Sequence, residues 1–282
     1  MAEQRPGALG RQSEIYLAGV AGRRPLVPVD PARLEQAASD AMTDEAFAYV
    51  AGGAGTESTV RENRETFERW RIVPRMLRDV STRDTSVEFF GARLSSPVLL
   101  SPVGVLEMAH PDADVAVAQA AAACGVPYIF SSQASRSMEE CAAVMGDAPR
   151  WFQLYWSKSD ALVESFVRRA EAAGAGAIVV TLDTTMLGWR ARDLDLGYLP
   201  FLRGKGIAQY VTDPVFLDSL QGPPPETPDA KRTVNLSSLR TFAELTRAHP
   251  GGFWKNVRRA EPLRAVQQFI GTYSRPSLTW DD

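Results

Sequence analysis

The spacing of apolar and polar positions changes part-way along the chain. Over Pro31 to Gly52, Leu34, Ala37, Ala38 and Ala41 recur at helical spacing. A second short helix through Ala46, Phe47 and Val50 runs to a stop at Gly52-Gly53. A polar helix is predicted from Thr56 to about Arg69, and Trp70 to Val87 reads as extended chain and turns, with Pro74 limiting helix. From Pro97 short apolar runs alternate with helical segments. Pro97–Ser101, Pro127–Ser132, Trp151–Tyr155 and Ala177–Leu182 read as strands, with helices at Ala113–Cys124, Ser137–Val144 and Ser159 to about Ala172. Gly125 ends the first of these helices, and Ser137-x-x-Glu140 is a capping box for the second.

Near-continuous apolar strands separated by helices fit βαβ units around a parallel sheet. No G-x-G-x-x-G follows any of the strands, so the pattern is read as α/β of the TIM (β/α)8-barrel type and not as a doubly wound nucleotide fold. Four βα units are legible where a barrel has eight, which predicts a chain truncated to the N-terminal half of a barrel over 97–282. An N-terminal helical segment covering the barrel is expected over 30–96, and a flexible Gly-, Arg- and Pro-rich arm over 1–29.

After Arg190 the regularity breaks. Pro200, Pro214, the run Gly222-Pro223-Pro224-Pro225 and Pro228 mark a long excursion over about 191–260, punctuated by a helix at Leu236–Ala248. An insertion of that length reads as a functional lid or an interface element. A helix at Pro262–Thr272 follows, and Trp280-Asp281-Asp282 reads as the start of another.

Composition narrows the setting. A net charge of −3 gives no basic excess for a nucleic-acid partner. The two cysteines, Cys124 and Cys141, have no metal-ligand spacing and imply neither a metal site nor a disulfide framework, which fits a reducing, cytoplasmic compartment. No apolar run reaches the ~18 residues of a membrane span, and residues 1–10 lack the apolar core of a secretory signal.

In a barrel the site is built at the C-terminal ends of the strands. Here those ends read Pro102-Val103-Gly104, Ser131-Ser132-Gln133, Gln153-Leu154-Tyr155 and Thr181-Leu182-Asp183, with Arg190 shortly beyond. Ser131, Gln153 and Thr181 offer neutral donors and acceptors, and Val103 and Gly104 offer backbone N–H groups with little bulk. That set suits the edge of a planar, heteroatom-rich ring. A guanidinium at Arg190 can grip a carboxylate through two parallel hydrogen bonds, and Tyr155 can donate to the same anion or to a hydroxyl.

Several segments together resemble the FMN-dependent 2-hydroxy-acid oxidising family. They are Glu62-Asn63-Arg64, Ser101-Pro102-Val103-Gly104, Met108-Ala109-His110-Pro111, Phe130-Ser131-Ser132, Phe152-Gln153-Leu154-Tyr155 and Thr181-Leu182-Asp183-Thr184, within a match from about Asp44 to Asp282. The resemblance implies FMN as cofactor, a small L-2-hydroxy acid (lactate-like) as substrate, oxygen as acceptor and a homo-oligomeric enzyme. It places Val103 and Gly104 along the flavin near N5, and pairs Ser131, Gln153 and Thr181 with the isoalloxazine ring. It assigns Tyr49 and Arg190 to the substrate carboxylate and Tyr155 to the substrate hydroxyl. Gly104, where simple oxidases commonly carry alanine, and the stretch Gly188 to Tyr198 resemble the lactate 2-monooxygenase branch, in which the product is oxidatively decarboxylated.

The reaction needs a base near the flavin, and histidine suits it. The family's base lies in a His-Gly-Gly-Arg-like motif that these residues do not contain; it, the flavin-stabilising lysine and the phosphate-binding glycine and arginine residues are expected beyond Asp282. The two histidines present, His110 and His249, match no catalytic position. The alternative is a non-catalytic half-barrel that only binds a ligand or pairs with another chain.

Overall fold

Residues 8–222 and 235–279 are described by the computed structural model, in which the chain divides into two units, Met1–Ala51 and Gly52–Asp282. The first unit is helical. Helix α1 (Ala8–Val20) lies where the sequence suggests an arm. Its two glycines and its exposed Tyr16, Leu17 and Val20 give it no ordinary amphipathic signature. Helix α2 (Pro31–Ala41) opens as its sequence dictates, with Pro31 at the first helical position and the Asp30 carboxylate accepting from Arg33 N–H at 2.9 Å. Helix α3 (Asp44–Ala51) follows and buries Ala46 and Ala48.

The second unit begins with the polar helix α4 (Ser58–Glu68). An antiparallel hairpin then forms from β1 (Val87–Phe89) and β2 (Ala92–Leu94), unforeseen in the sequence. Its turn places Phe90 and Gly91 at φ +48° and +73°, the two positive dihedrals of a tight hairpin turn. A phenylalanine in the first position hides the usual Asn-Gly signal. Both hairpin phenylalanines rest on Trp151, with ring centroids 5.5 Å apart in each case.

The α/β core is a parallel sheet in sequence order, β3 (Tyr128–Phe130), β4 (Arg150–Leu154) and β5 (Ile178–Val180). Helix α5 (Ala113–Cys124) precedes it, and α6 (Met138–Met145) and α7 (Asp160–Ala172) form the crossovers. Gly125 at φ +65° closes α5, and the Ser137 and Ser159 hydroxyls accept from Glu140 and Leu162 N–H to start α6 and α7. Pro97–Ser101, expected as a strand, contributes only one parallel bridge, Leu100 to Tyr128. Leu100 donates to Pro127 O and accepts from Ile129 N–H, at 2.9 and 3.1 Å. Prolines 97 and 102 remove the donors on either side, which holds the segment to that bridge.

Among its described residues the excursion is largely helical. It contains α8 (Ala191–Asp195), α9 (Ala208–Val211), α10 (Pro214–Ser219), α11 (Leu236–Ala248), capped by Asn235, and α12 (Phe253–Arg259); α13 (Glu261–Thr272) then returns to the sheet. There the Ser157 hydroxyl donates to Thr272 O at 2.7 Å. The proline run after Gly222, Pro228, the first seven residues and the helix start at Trp280 lie outside the described residues.

Tyr210 of α9 binds these layers together. Fully buried, it meets Phe166 of α7, Phe216 of α10 and Phe269 of α13 edge-on at 4.8–5.5 Å between centroids, and Phe166 in turn meets Phe152 of β4 at 6.0 Å. Edge-to-face pairs add about 0.5–1.5 kcal/mol each beyond the apolar area they bury.

Candidate functional site

Three successive strand ends carry one hydrogen-bonded line. The Ser131 hydroxyl, just past β3, donates to Gln153 Oε1 at 3.2 Å. Gln153, in β4, donates through Nε2 to Thr181 Oγ1, just past β5, at 2.9 Å. Strand pairing brings the three together, since Gln153 registers with Val179 and Phe152 with Phe130. Ser131 and Gln153 are buried, Thr181 half-buried. With its oxygen receiving the Gln153 amide, Thr181 keeps its O–H proton for a group outside the line. Ser132 fixes the backbone behind it: its hydroxyl donates to Gln153 O at 2.6 Å and accepts from Tyr155 N–H at 3.0 Å.

The turn after the first barrel segment abuts this line. Val105 donates its N–H to Gln133 O at 2.9 Å, and Gln133 N–H donates to Ser131 Oγ at 3.0 Å. A Cβ on Gly104 would stand 3.3 Å from the Cβ of Gln133, a tight contact that a shift of a few tenths of an ångström would relieve. Val103 is exposed beside it.

Tyr155 is half-buried. Burial pushes its phenol above the ordinary value; a hydrogen bond with the Gln153 side chain works the other way, and Asp183 and Tyr273 add to the rise. It is a neutral O–H donor at neutral pH. Arg190 precedes α8, and its Nε donates to the buried Asp193 carboxylate at 2.5 Å. Its guanidinium therefore already faces an anion of the chain's own. Tyr49 lies half-buried on α3, in the first unit.

Neither histidine joins the line. His110 is exposed and accepts from Asp112 N–H at 3.2 Å, while His249 bonds Pro250 O through Nδ1 at 3.0 Å. A cavity of ≈ 480 Å³ lies to one side, lined in part by Ser135, Ile207, Thr212, Leu245 and His249, and none of Ser131, Gln153 or Thr181 borders it. Among the described residues no cluster of His, Cys, Asp or Glu could hold a metal ion.

Sequence reasoning missed two buried polar residues behind these strand ends. Asp114 of α5 receives the N–H groups of Ser135 and Arg136 at 2.8 and 3.0 Å and the Tyr128 hydroxyl at 3.4 Å. Gln209 of α9 bonds the same loop from the other side. An acid in the first turn of an alanine-rich helix was a signal for the first; nothing in the sequence marks the second.

Comparison with known proteins places these features. Residues 38–282 match the model of a family described as FMN-dependent dehydrogenase. An FMN-dependent alpha-hydroxy acid dehydrogenase of Penicillium citrinum is 41% identical over 206 residues, covering 73% of this chain and 51% of that protein. The L-lactate oxidase of Lysinibacillus sphaericus is 40% identical over 207 residues, covering 73% and 53%. The crystal structure of a mandelate oxidase superposes with a TM-score of 0.58 at 42% identity, covering 61% of this chain and 50% of that one. The chain spans about half the length of the curated relatives it matches.

Proposed function

The chain belongs to the FMN-dependent dehydrogenase family, and from that premise we propose that its strand ends form the ring-pairing rim of an FMN site serving oxidation of a small L-2-hydroxy acid. The observation that carries the reading is the Ser131–Gln153–Thr181 line. Its donors are neutral and stand at the C-terminal ends of three adjacent strands, which suits the edge of an uncharged ring. Bound FMN would supply the acceptor for the hydride equivalent leaving the substrate carbon.

The chain's own residues hold and orient. Val103 and Gly104 lie along the ring, and Tyr155, kept neutral by burial, donates to the substrate hydroxyl or carboxylate. Arg190 binds the carboxylate, with Asp193 setting the guanidinium plane until substrate arrives. Gly104 and the Gly188 to Tyr198 stretch favour the lactate 2-monooxygenase branch, with oxygen as acceptor. The barrel of the family, a homo-oligomeric assembly and a cytoplasmic setting belong to the same reading; Cys124 and Cys141 stay unbridged.

A second reading is favoured by the two histidines, neither of which bonds to the line. In it the chain binds a ligand or pairs with another chain without turning over.

The test is a flavin titration of the purified chain, followed by flavin fluorescence, with lumiflavin (the ring alone) beside FMN. The residues named here hold the ring and not the phosphate. We therefore expect little FMN to survive purification and the two flavins to bind with similar, weak affinity, lost in Gln153→Leu. Stoichiometric FMN that bleaches on adding lactate would overturn the assignment of no base to these residues, and equal binding by Gln153→Leu would remove the ring-pairing line.

A further inference from the structure

We infer that Gln209, in the excursion, is a positioning residue for the flavin-pairing serine: it acts through the backbone of the 131–138 loop and touches no cofactor. The inference rests on the ring-pairing reading for its functional meaning and on geometry for its substance.

Gln209 is 0% exposed, yet each polar end of its amide is used. Its Oε1 accepts from Met138 N–H at 3.1 Å, one of the donors that the first turn of α6 leaves unpaired. Its Nε2 donates to Ser131 O at 3.3 Å and to Arg136 O at 3.4 Å. One side chain therefore ties both ends of the loop that carries Ser131, Ser132 and Gln133. The same strap makes two more bonds to the rim, Gly206 N–H to Glu107 Oε1 and Ala208 N–H to Ala134 O, both at 3.1 Å. Behind it, Arg169 donates to Gln209 O at 2.7 Å, so the strap is held on its far side too.

Chemistry explains the residue type. A glutamate could not donate to two carbonyls, and a methionine of similar length would leave the buried Met138 N–H unpaired and Ser131 O with the Ala134 N–H alone. Through Ser131 O the amide fixes the residue whose hydroxyl both supports Gln133 N–H and opens the line to Gln153. The excursion is thus part of the ring site's frame.

The experiment compares wild type with Gln209→Met and the isosteric Gln209→Glu, with Gln221→Ala, exposed in the same excursion, as control. Without flavin, amide hydrogen exchange of Gln133, whose N–H reports on Ser131 Oγ, is expected to speed up roughly tenfold in both Gln209 variants and to stay unchanged in the control. Unchanged Gln133 exchange in variants that still unfold cooperatively would overturn the inference. With lumiflavin, Gln209→Met is expected to weaken binding roughly three- to tenfold, and Ser131→Ala/Gln209→Met no more than Ser131→Ala alone. Additive losses would show that Gln209 acts by another route and would also overturn it. If exchange responds while wild type binds no lumiflavin, the ring-pairing reading fails and the positioning link stands.

Discussion

Gly206 shows how one residue can decide whether the rim assembles. Its φ of +68° is open to glycine and strained for other residues, and a Cβ there would stand 2.5 Å from Val105 Cγ2 and 3.0 Å from Gln133 O. Gly206→Ala therefore strains the backbone and drives a methyl into the clasp between the two strand ends. We expect a loss of about 1–3 kcal/mol in stability, read from the urea midpoint. Gly22→Ala, at φ +72° with open space around it, is the control and should lose about 1 kcal/mol or less. Arg190 gives a second residue-scale outcome. Asp193→Asn removes the anion its guanidinium faces, and partial burial of that pair sets an expected destabilisation of about 1–3 kcal/mol in thermal unfolding.

At the scale of elements, α6, α7, α9 and α10 are joined through one arginine. Arg169 pairs with both oxygens of Glu139 at 2.8 and 3.0 Å and with the fully buried Asp213 at 3.0 Å, while Asp213 also caps α10 through Val215 and Phe216 N–H. Asp213→Ala leaves Arg169 paired with Glu139 but removes its buried carboxylate and the α10 cap together, so it should cost about 2–4 kcal/mol by chemical denaturation. The same junction fixes a pH response. Burial alone would raise the Glu139 carboxyl, but the Arg169 guanidinium holds it below its ordinary value of 4.5. A depressed carboxyl contributes stability above its unfolded value and loses it as pH falls through the folded one. Asp114 runs the opposite way: burial raises it, so acid relieves a cost. Glu139→Gln should therefore flatten the fall in unfolding midpoint below about pH 4.5, measured against wild type, and an unchanged profile would show that Arg169 does not hold Glu139 in solution.

Legibility in the sequence followed the source of each element's stability. Where neighbours in the chain decide, the reading was close: Gly125 closes α5, Ser137 and Ser159 start α6 and α7, and Leu236–Ala248 is helical from end to end. Where distant contacts decide, it was not. The first barrel strand shrank to the Leu100 bridge, the hairpin was hidden by a phenylalanine in its turn, and α1 by its glycines. The candidate site divides likewise. Ser131, Gln153 and Thr181 were readable as strand ends, whereas Gln209 reaches its partners across more than seventy residues. Asp213-Pro214 was readable as a helix start and went unread.

Across the molecule, the side of the sheet at β5 is exposed. Among the described residues β5 pairs with β4 alone, and Leu182, Met186, Leu187 and Trp189 just beyond it are all exposed. An unpaired edge beside apolar surface favours association. Light scattering of the purified chain should show mass rising with concentration, and Leu187→Lys should reduce it; a strictly monomeric chain would indicate that this surface is covered. The order of folding follows from the Gln209 clamp. Each sheet strand pairs with its successor in the chain, so β3, β4 and β5 close shorter loops than the Gln209 clamp does. The amide that secures Ser131 comes 71 to 78 residues after the groups it binds, and closing a loop of that length comes late. The sheet should thus form before its own strand end is set, leaving ring recognition among the last properties acquired as the chain leaves the ribosome.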